Sequence, residues 1–209
     1  MDFQELYTAG GQEAHRLFLG IIKQGTADLH TALEAHPYMA VLMDPGVLTK
    51  DYCTYLSIMG EVHRVFEAVV LPGLTNFPYR LIPVGQVIKR DIEQLDCPEQ
   101  GQRISFNLDL PSTSTSFLLG FAYVMEGSKL GGKVILKHIN RHLGFDEETG
   151  AAYLAGNGSS TGASWKDFLQ HFSHYVLLNR GAEDAVSGAR FAFSSIFNFL
   201  EKNQLVNEH

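Results

Sequence analysis

The chain is poor in several features that would assign it to a class of protein directly. Its 209 residues include only two cysteines, one tryptophan and seven prolines. No apolar run reaches the roughly 18 residues that a membrane-spanning helix needs. The segment 1–6 lacks the basic start and apolar stretch of a secretory signal, and the segment 201–209 is polar. We therefore expect no membrane partner.

The cysteines and the charge narrow the class further. Cys53 and Cys97 do not form a CxxC pair, which predicts reduced thiols in a cytoplasmic protein. The formal net charge of −7 argues against a nucleic-acid partner, because such binding normally needs a basic face. The total charge still allows a local basic patch at the edge of a cofactor site.

The hydrophobic pattern predicts one all-α domain over residues 1–209, with flexible termini at 1–11 and 203–209. No repeat or linker divides the chain, and its length suits a single core. Apolar residues recur at helical spacing over most of the sequence. The predicted helices are 12–42, with a break at His36-Pro37, then from a cap at Thr49 to Pro72-Gly73, and 84–95, 115–144, 165–178 and 182–202. The predicted loops are 96–107 and the glycine- and serine-rich stretch 150–162.

Within the predicted helix 115–144, the stretch 120–134 carries four glycines, each of which costs about 0.5–1 kcal/mol relative to alanine in a helix interior. Three of them, Gly120, Gly127 and Gly131, share one helix face. Such a nearly bare face suits either a flat ligand or the close approach of another helix, and the spacing leaves both open. The adjacent pair Gly131-Gly132 predicts a kink.

A second segment carries a histidine with a carboxylate on the same helix face. His30 and Glu34 are four residues apart, so the two side chains can touch. An imidazole with a carboxylate at its second nitrogen is the usual arrangement of a metal-ligating histidine. Lys23 precedes His30 by two helical turns and could meet a carboxylate of a bound cofactor. Taken alone, a helix histidine is more often structural than a ligand.

Together the two segments resemble heme oxygenases. Residues 23–34 are similar to that family's N-terminal pattern, in which a basic residue and Thr-x-x-x-His precede a glutamate one turn on. Residues 123–132 read Tyr-Val-Met-Glu-Gly-Ser-Lys-Leu-Gly-Gly. They are similar to the family's distal helix in its bacterial, bacteriophytochrome-associated form. The resemblance covers residues 15–202.

The resemblance implies an all-α, heme-oxygenase-like helical bundle with a kinked glycine-rich distal helix. Heme would be substrate and cofactor at once, and oxygen and electrons would open it to biliverdin, carbon monoxide and ferrous iron. A ferredoxin or another reductase would donate the electrons, and the product could serve a phytochrome pathway. His30 would be the proximal iron ligand. The resemblance further implies a distal wall of Gly127, Ser128, Gly131 and Gly132, and cofactor contacts from Lys23, Glu34, Tyr123 and Lys166.

Two positions depart from the family pattern. Ser128 stands where mammalian-type members have an aspartate that anchors the distal water network, so another group must hold the network here. Gln170 stands where an arginine is expected to bind a heme propionate, which leaves the isomer of biliverdin open. Elsewhere, His63 is predicted to belong to an ordinary amphipathic helix, and His138 and His142 to a solvated surface.

Two other functions stay open at this point. One is a protein of the same fold that carries or senses heme without opening the ring. The other is a heme-free helical interaction domain, in which the glycines serve close packing alone. Only the second predicts that the chain has no affinity for heme.

Overall fold

A computed structural model describes residues 3–98 and 105–207, and these residues form helices and no strands. The all-α prediction is therefore confirmed. The α-helices are α1 (Phe3–Thr8), α2 (Gly11–Ala35), α3 (Pro37–Ala40), α4 (Thr49–Val65), α5 (Gly85–Gln94), α6 (Thr115–Leu143), α7 (Ala152–Ala155), α8 (Thr161–Leu178) and α9 (Ala182–Asn207). In the described part of the chain, no helix is long and apolar enough to cross a bilayer.

Two apolar clusters hold the helices together, and burial of their side chains is the main source of stability. The larger cluster joins α2, α4, α6, α8 and α9, and includes the edge-on pair Phe18–Phe172 with ring centroids 5.2 Å apart. The smaller cluster joins α4, α5, α6 and α7 around Tyr52, Ile88 and Leu154. The assignment of the whole chain to one domain stays a prediction.

The predicted break at His36-Pro37 is confirmed. His36 has extended backbone angles, because the residue before proline is disfavoured in helical geometry. Its Nδ1 accepts a hydrogen bond from the N–H of Tyr38 at 3.3 Å, and this bond caps α3. The predicted helix 12–42 is thus α2, α3 and a short 3-10 turn at Val41–Met43.

Some predicted helix boundaries differ from the structure. Residues 3–8 form α1, whose Leu6 is buried, and the last helix continues to Asn207 rather than ending at 202. The flexibility of the termini stays a prediction. The terminal residues 1–2 and 208–209 lie outside the described residues. Thr49 is the first residue of α4 rather than its cap, since the N-cap is Leu48. The predicted loop 96–107 has no helix at 96–98 and 105–107, and its middle lies outside the described residues.

The predicted surface loop 150–162 is also wrong. It contains α7, a 3-10 turn at Gly158–Ser160 and the start of α8. Leu154 is 1% exposed and Thr161 2% exposed, so both reach the core, whereas residues 156 and 159–160 between them are exposed. The glycine and serine content signals turns correctly, but packing of α7 against α5 and α6 outweighs that local preference.

The prediction of reduced thiols is wrong as well. Cys53 on α4 and Cys97, just after α5, form a disulfide with Cα atoms 5.5 Å apart. The two residues are 44 positions apart in the sequence, so spacing alone gave no sign of the pairing. The cytoplasmic location inferred from free thiols loses that support and stays a prediction.

Helices α6 and α9 cross at a pair of glycines. A Cβ placed on Gly120 would overlap the carbonyl oxygen of Ala185, and one placed on Gly188 would overlap the carbonyl oxygen of Phe117. The two backbones are therefore in direct contact. This crossing fixes the position of α6 relative to α9, and α9 also packs along α2.

Candidate functional site

His30 lies on α2 with much of its ring open to solvent. Its side chain is 55% exposed, and its Nδ1 lies 3.5 Å from Oε2 of Glu34. That distance is longer than an ordinary N–H···O hydrogen bond but allows a weak ion pair. The ring also meets Phe193 of α9 edge-on, with centroids 5.5 Å apart. Nε2 has no hydrogen-bond partner among the described residues and is available to an external ligand.

One arginine of α9 fixes the neighbouring turn of α2. The guanidinium of Arg190 donates to Oδ1 and Oδ2 of Asp28 at 2.9 and 3.1 Å, and also to the carbonyl oxygen of Gly25. The bond from Arg190 lowers the pKa of Asp28 below its ordinary value. Both side chains are exposed, so the pair adds little stability, but its forked geometry sets the register of α2 against α9.

The glycines of α6 do not form one bare face. Gly120 packs on α9, and a Cβ on Gly127 would lie 3.3 Å from the ring of Trp165 on α8. Gly132 is buried under α7, where a Cβ would lie 3.1 Å from the carbonyl oxygen of Leu154. Only Gly131 is open, with no atom within 4 Å of an added Cβ. Of the two uses that the sequence left open for this face, close packing applies at Gly120, and the open surface is at Gly131.

Apolar side chains border this open glycine. Leu130 is 38% exposed and Val134 is 57% exposed, although both are large hydrophobic residues. Single exposed apolar residues are ordinary, but here two of them flank a position without any side chain. The helix is uninterrupted through Gly131-Gly132, and the predicted kink stays a prediction. The result is an apolar strip with access to the main chain.

Polar groups occupy the adjacent side of α6. The hydroxyl of Ser128 donates to the carbonyl oxygen of Met125 at 2.8 Å. Lys129 and Glu126 form an ion pair at 2.6 Å, with side chains only 10% and 7% exposed. Such a shielded pair is held more firmly than a surface pair, and it keeps both charges off the open strip.

The other predicted cofactor contacts are scattered. Tyr123 packs between Trp165 and Phe172, with centroids 5.4 and 5.7 Å away, and is a core side chain at this position. Lys23 on α2 and Lys166 on α8 are both exposed. They are free to reach a carboxylate of a ligand.

Gln170 lines a different cleft, between α1, α2 and α8, beside His15 and His174. None of the predicted site residues borders this cleft. In it, Nδ1 of His15 contacts the hydroxyl of Ser173. The glutamine at the position expected to hold an arginine thus belongs to a surface separate from Gly131.

Two further histidines are buried, and only His138 differs from its prediction. His63 is 3% exposed, and its Nε2 lies 3.1 Å from the hydroxyl of Tyr153. Burial, followed by the nearby charge of Lys129, lowers its pKa to about 3, so the ring is neutral at physiological pH. His138 is buried rather than solvated, and its Nε2 bonds the carbonyl oxygen of Asp44 at 2.9 Å. The sequence pattern of one helix does not show that a histidine on it is buried, because burial depends on which helices pack against it.

These features define a class of protein. Helix α2 carries an exposed imidazole, and α6 carries an open, largely apolar strip. Both helices pack against α9. This donor set suits a flat, apolar molecule that offers one coordination position to a histidine. A bare metal ion would need more ligands than one imidazole.

A sequence profile of the heme oxygenase family matches residues 17–202, and the chain belongs to that family. A heme oxygenase from Xanthomonas campestris pv. campestris (strain 8004) is 26% identical over 153 residues, which cover 72% of this chain and 90% of that protein. The NO- and CO-bound heme oxygenase from Neisseria meningitidis has the same fold, with a TM-score of 0.70 at 23% identity over 89% of this chain and 91% of that one. Membership of this family makes the protein a heme-degrading enzyme.

Proposed function

We propose that the protein is a heme oxygenase that opens heme to biliverdin, carbon monoxide and ferrous iron, using oxygen and electrons from a ferredoxin or another reductase. Two observations, one on His30 and one on Gly131, carry this proposal. Nε2 of His30 is unoccupied by the described residues, and Gly131 is the one α6 glycine of the distal motif that no neighbour covers.

The residues of α2 fit the proximal side of a heme. His30 would hold the iron through Nε2, while Glu34 at Nδ1 favours the tautomer that leaves Nε2 unprotonated. Phe193 limits rotation of the ring from the α9 side. Lys23 lies two turns away on the exposed part of α2 and would meet a propionate. Heme itself supplies the redox-active iron and the macrocycle that is cut.

The residues of α6 fit the opposite wall. At Gly131 the main chain is reachable, so backbone groups and ordered water can hydrogen-bond a small molecule near the heme. Leu130 and Val134 are exposed beside it and would make apolar contact with the flat face of a heme. The strip contributes no ionisable side chain of its own, and Lys129 is already paired with Glu126. Such a wall positions a reactant without transferring a proton to it from a side chain.

The proposal is tested with hemin and one matched pair of variants. Wild-type protein should give a Soret shift with one equivalent of hemin, and reductant and air should then replace the Soret band with a broad red band of biliverdin. His30→Ala should abolish the Soret shift. The control is His171→Ala, because His171 on α8 also faces a carboxylate four residues away, Asp167, at 3.5 Å, and is partly exposed.

The control should bind and degrade hemin at the wild-type rate. A Soret shift without ring opening would leave a heme-binding protein and remove the catalytic part of the proposal. Equal hemin spectra for the wild type and His30→Ala would remove His30 as the ligand. No perturbation of hemin by the wild type would overturn the proposal as a whole.

A further inference from the structure

We propose that His138 and His142, near the C-terminal end of α6, bind one divalent transition-metal ion of the kind that prefers imidazole ligands, such as Zn²⁺. This site goes beyond the heme chemistry proposed above and does not depend on it. His138 lies seven residues beyond Gly131, which is about 10 Å along the helix. Neither histidine belongs to the motifs that indicated the heme site.

One hydrogen bond fixes the tautomer of His138. Its Nε2 lies 2.9 Å from the backbone carbonyl oxygen of Asp44, directly after the 3-10 turn Val41–Met43. A carbonyl oxygen only accepts, so Nε2 carries the proton and Nδ1 of the neutral ring keeps its lone pair. Histidines that ligate a metal almost always donate their other N–H to such a carbonyl or to a carboxylate. His138 therefore has both the tautomer and the support of a metal ligand.

The ligating nitrogen of His138 is reachable from solvent. In the described part of the chain, Nδ1 has no hydrogen-bond partner, and it is not among the polar side-chain atoms that are fully buried without one. The residue as a whole is 9% exposed. Burial therefore holds the ring in place without closing off Nδ1.

A second imidazole lies directly against the first. The rings of His138 and His142 are stacked, with centroids 4.2 Å apart and planes 29° apart, because residues four positions apart share a helix face. His142 is exposed and makes no hydrogen bond within the described residues, so its ring is free to rotate. Zn–N bonds are about 2.0–2.1 Å long, so two nitrogens on one ion lie at most about 4 Å apart. Rings this close satisfy that limit after a small rotation of His142.

The surroundings of the pair suit one cation bound with modest affinity. Among the described residues no group of three or more histidine, cysteine, aspartate or glutamate side chains surrounds a metal position, so water would complete the coordination. The carboxylate of Asp44 already accepts the N–H of Gly46 at 2.6 Å. The exposed guanidinium of Arg141 opposes a cation, whereas the partial negative charge at the C-terminal end of α6 favours one. Two histidines four residues apart on a helix are also the pair that binds zinc in HExxH sites.

The test is a titration of the untagged, heme-free protein with Zn²⁺, followed by nitrogen NMR of the histidine rings. Before zinc is added, His138 should show the Nε2–H tautomer. One equivalent of Zn²⁺ should move the Nδ1 signal of His138 and a ring-nitrogen signal of His142, while the Nε2–H of His138 remains. Because each ring is observed separately, zinc bound at His30 and Glu34 would be recognised as a different site.

The variants test the second ligand. His142→Ala should weaken zinc binding at His138 at least about tenfold, because loss of the hydrogen-bond partner of a ligand already costs about 10–100-fold. The position is exposed, so the variant should fold. His142→Glu should restore part of the affinity, since a carboxylate oxygen is also a zinc ligand. The matched control is His171→Ala: a ring nitrogen of His171 also bonds a backbone carbonyl, that of Asp167 at 2.9 Å, but the ring beside it is Tyr79.

The control should leave the zinc response of His138 unchanged. The proposal is overturned if zinc does not move the His138 signals, if His138 carries its proton on Nδ1, or if His142→Ala binds zinc at His138 as tightly as the wild type does. A response that disappears in His171→Ala and persists in His142→Ala would place the zinc on α8 and equally overturn it. None of these results depends on whether the protein binds hemin.

Discussion

Gly120 and Gly131 lie on the same face of α6 but in opposite surroundings. Gly120 touches the backbone of α9, whereas nothing approaches Gly131. Neither has a positive φ, so conformational freedom explains neither of them. Gly120 is explained by helix packing, whereas no packing contact explains Gly131. Of the two explanations that the sequence left open, close packing therefore applies to Gly120, and a ligand at Gly131 stays a proposal.

This difference predicts that alanine substitution has opposite effects on stability at Gly120 and at Gly131. Gly120→Ala should destabilise the protein by about 1–3 kcal/mol or more, because the methyl group would overlap the backbone of α9. Gly131→Ala should stabilise the heme-free protein by up to about 1 kcal/mol, since alanine is the better helix former and meets no atom. Urea denaturation of both variants measures this, and equal destabilisation by the two would contradict it.

The sequence indicated the site unevenly at this scale. His30, Glu34 and Gly131 were recognisable because they belong to short motifs on single helices. The contact between Tyr153 and His63 was not recognisable, because the two residues are 90 positions apart and neither stands in a recognisable pattern. Only the packing of α7 brings them together.

At the scale of elements, α7 shows how a short helix can be stable. It has four residues, too few to form alone, and its first N–H groups would lack partners. Asp91 of α5 supplies both oxygens to these groups. The break between α2 and α3 could be predicted from His36-Pro37 because it is local, whereas α7 depends on a residue 61 positions away.

Removal of the Asp91 carboxylate should therefore destabilise the fold. Asp91→Ala should lower the free energy of unfolding by about 1–3 kcal/mol, because two N–H groups at a partly buried site lose their acceptor. Asp146→Ala is the control, since Asp146 also accepts the N–H groups of Glu148 and Thr149 but in the open, where water can replace it. Chemical denaturation should show a clearly smaller loss for the control.

At the scale of the whole molecule, the disulfide ties two helices that the apolar core already joins. Cys53 is in the second turn of α4, and Cys97 follows α5. The bridge closes a loop between positions 44 apart, which restricts the unfolded chain considerably. Its effect on stability should therefore exceed that of any single exposed ion pair, such as that of Arg190 with Asp28.

Reduction of Cys53–Cys97 should lower the stability by about 3–5 kcal/mol, the loop-closure contribution expected for a loop of this length. Melting curves with and without a reductant measure the loss. In a variant carrying both Cys53→Ser and Cys97→Ser, the reductant should have no effect. A melting temperature that is the same for oxidised and reduced wild type would show that the bridge does not constrain the fold.

The crossing of α6 and α9 sets the smallest possible distance between these two helices. At Gly120 and Gly188 the two helices touch through backbone atoms, and no side chain lies between them. Every amino acid other than glycine adds volume there, so substitution can push α6 away from α9 but can never draw it closer. Helix α2 also packs against α9. Substitution of Gly120 or Gly188 can therefore only widen the space between α2 and α6, the proposed walls of the heme site.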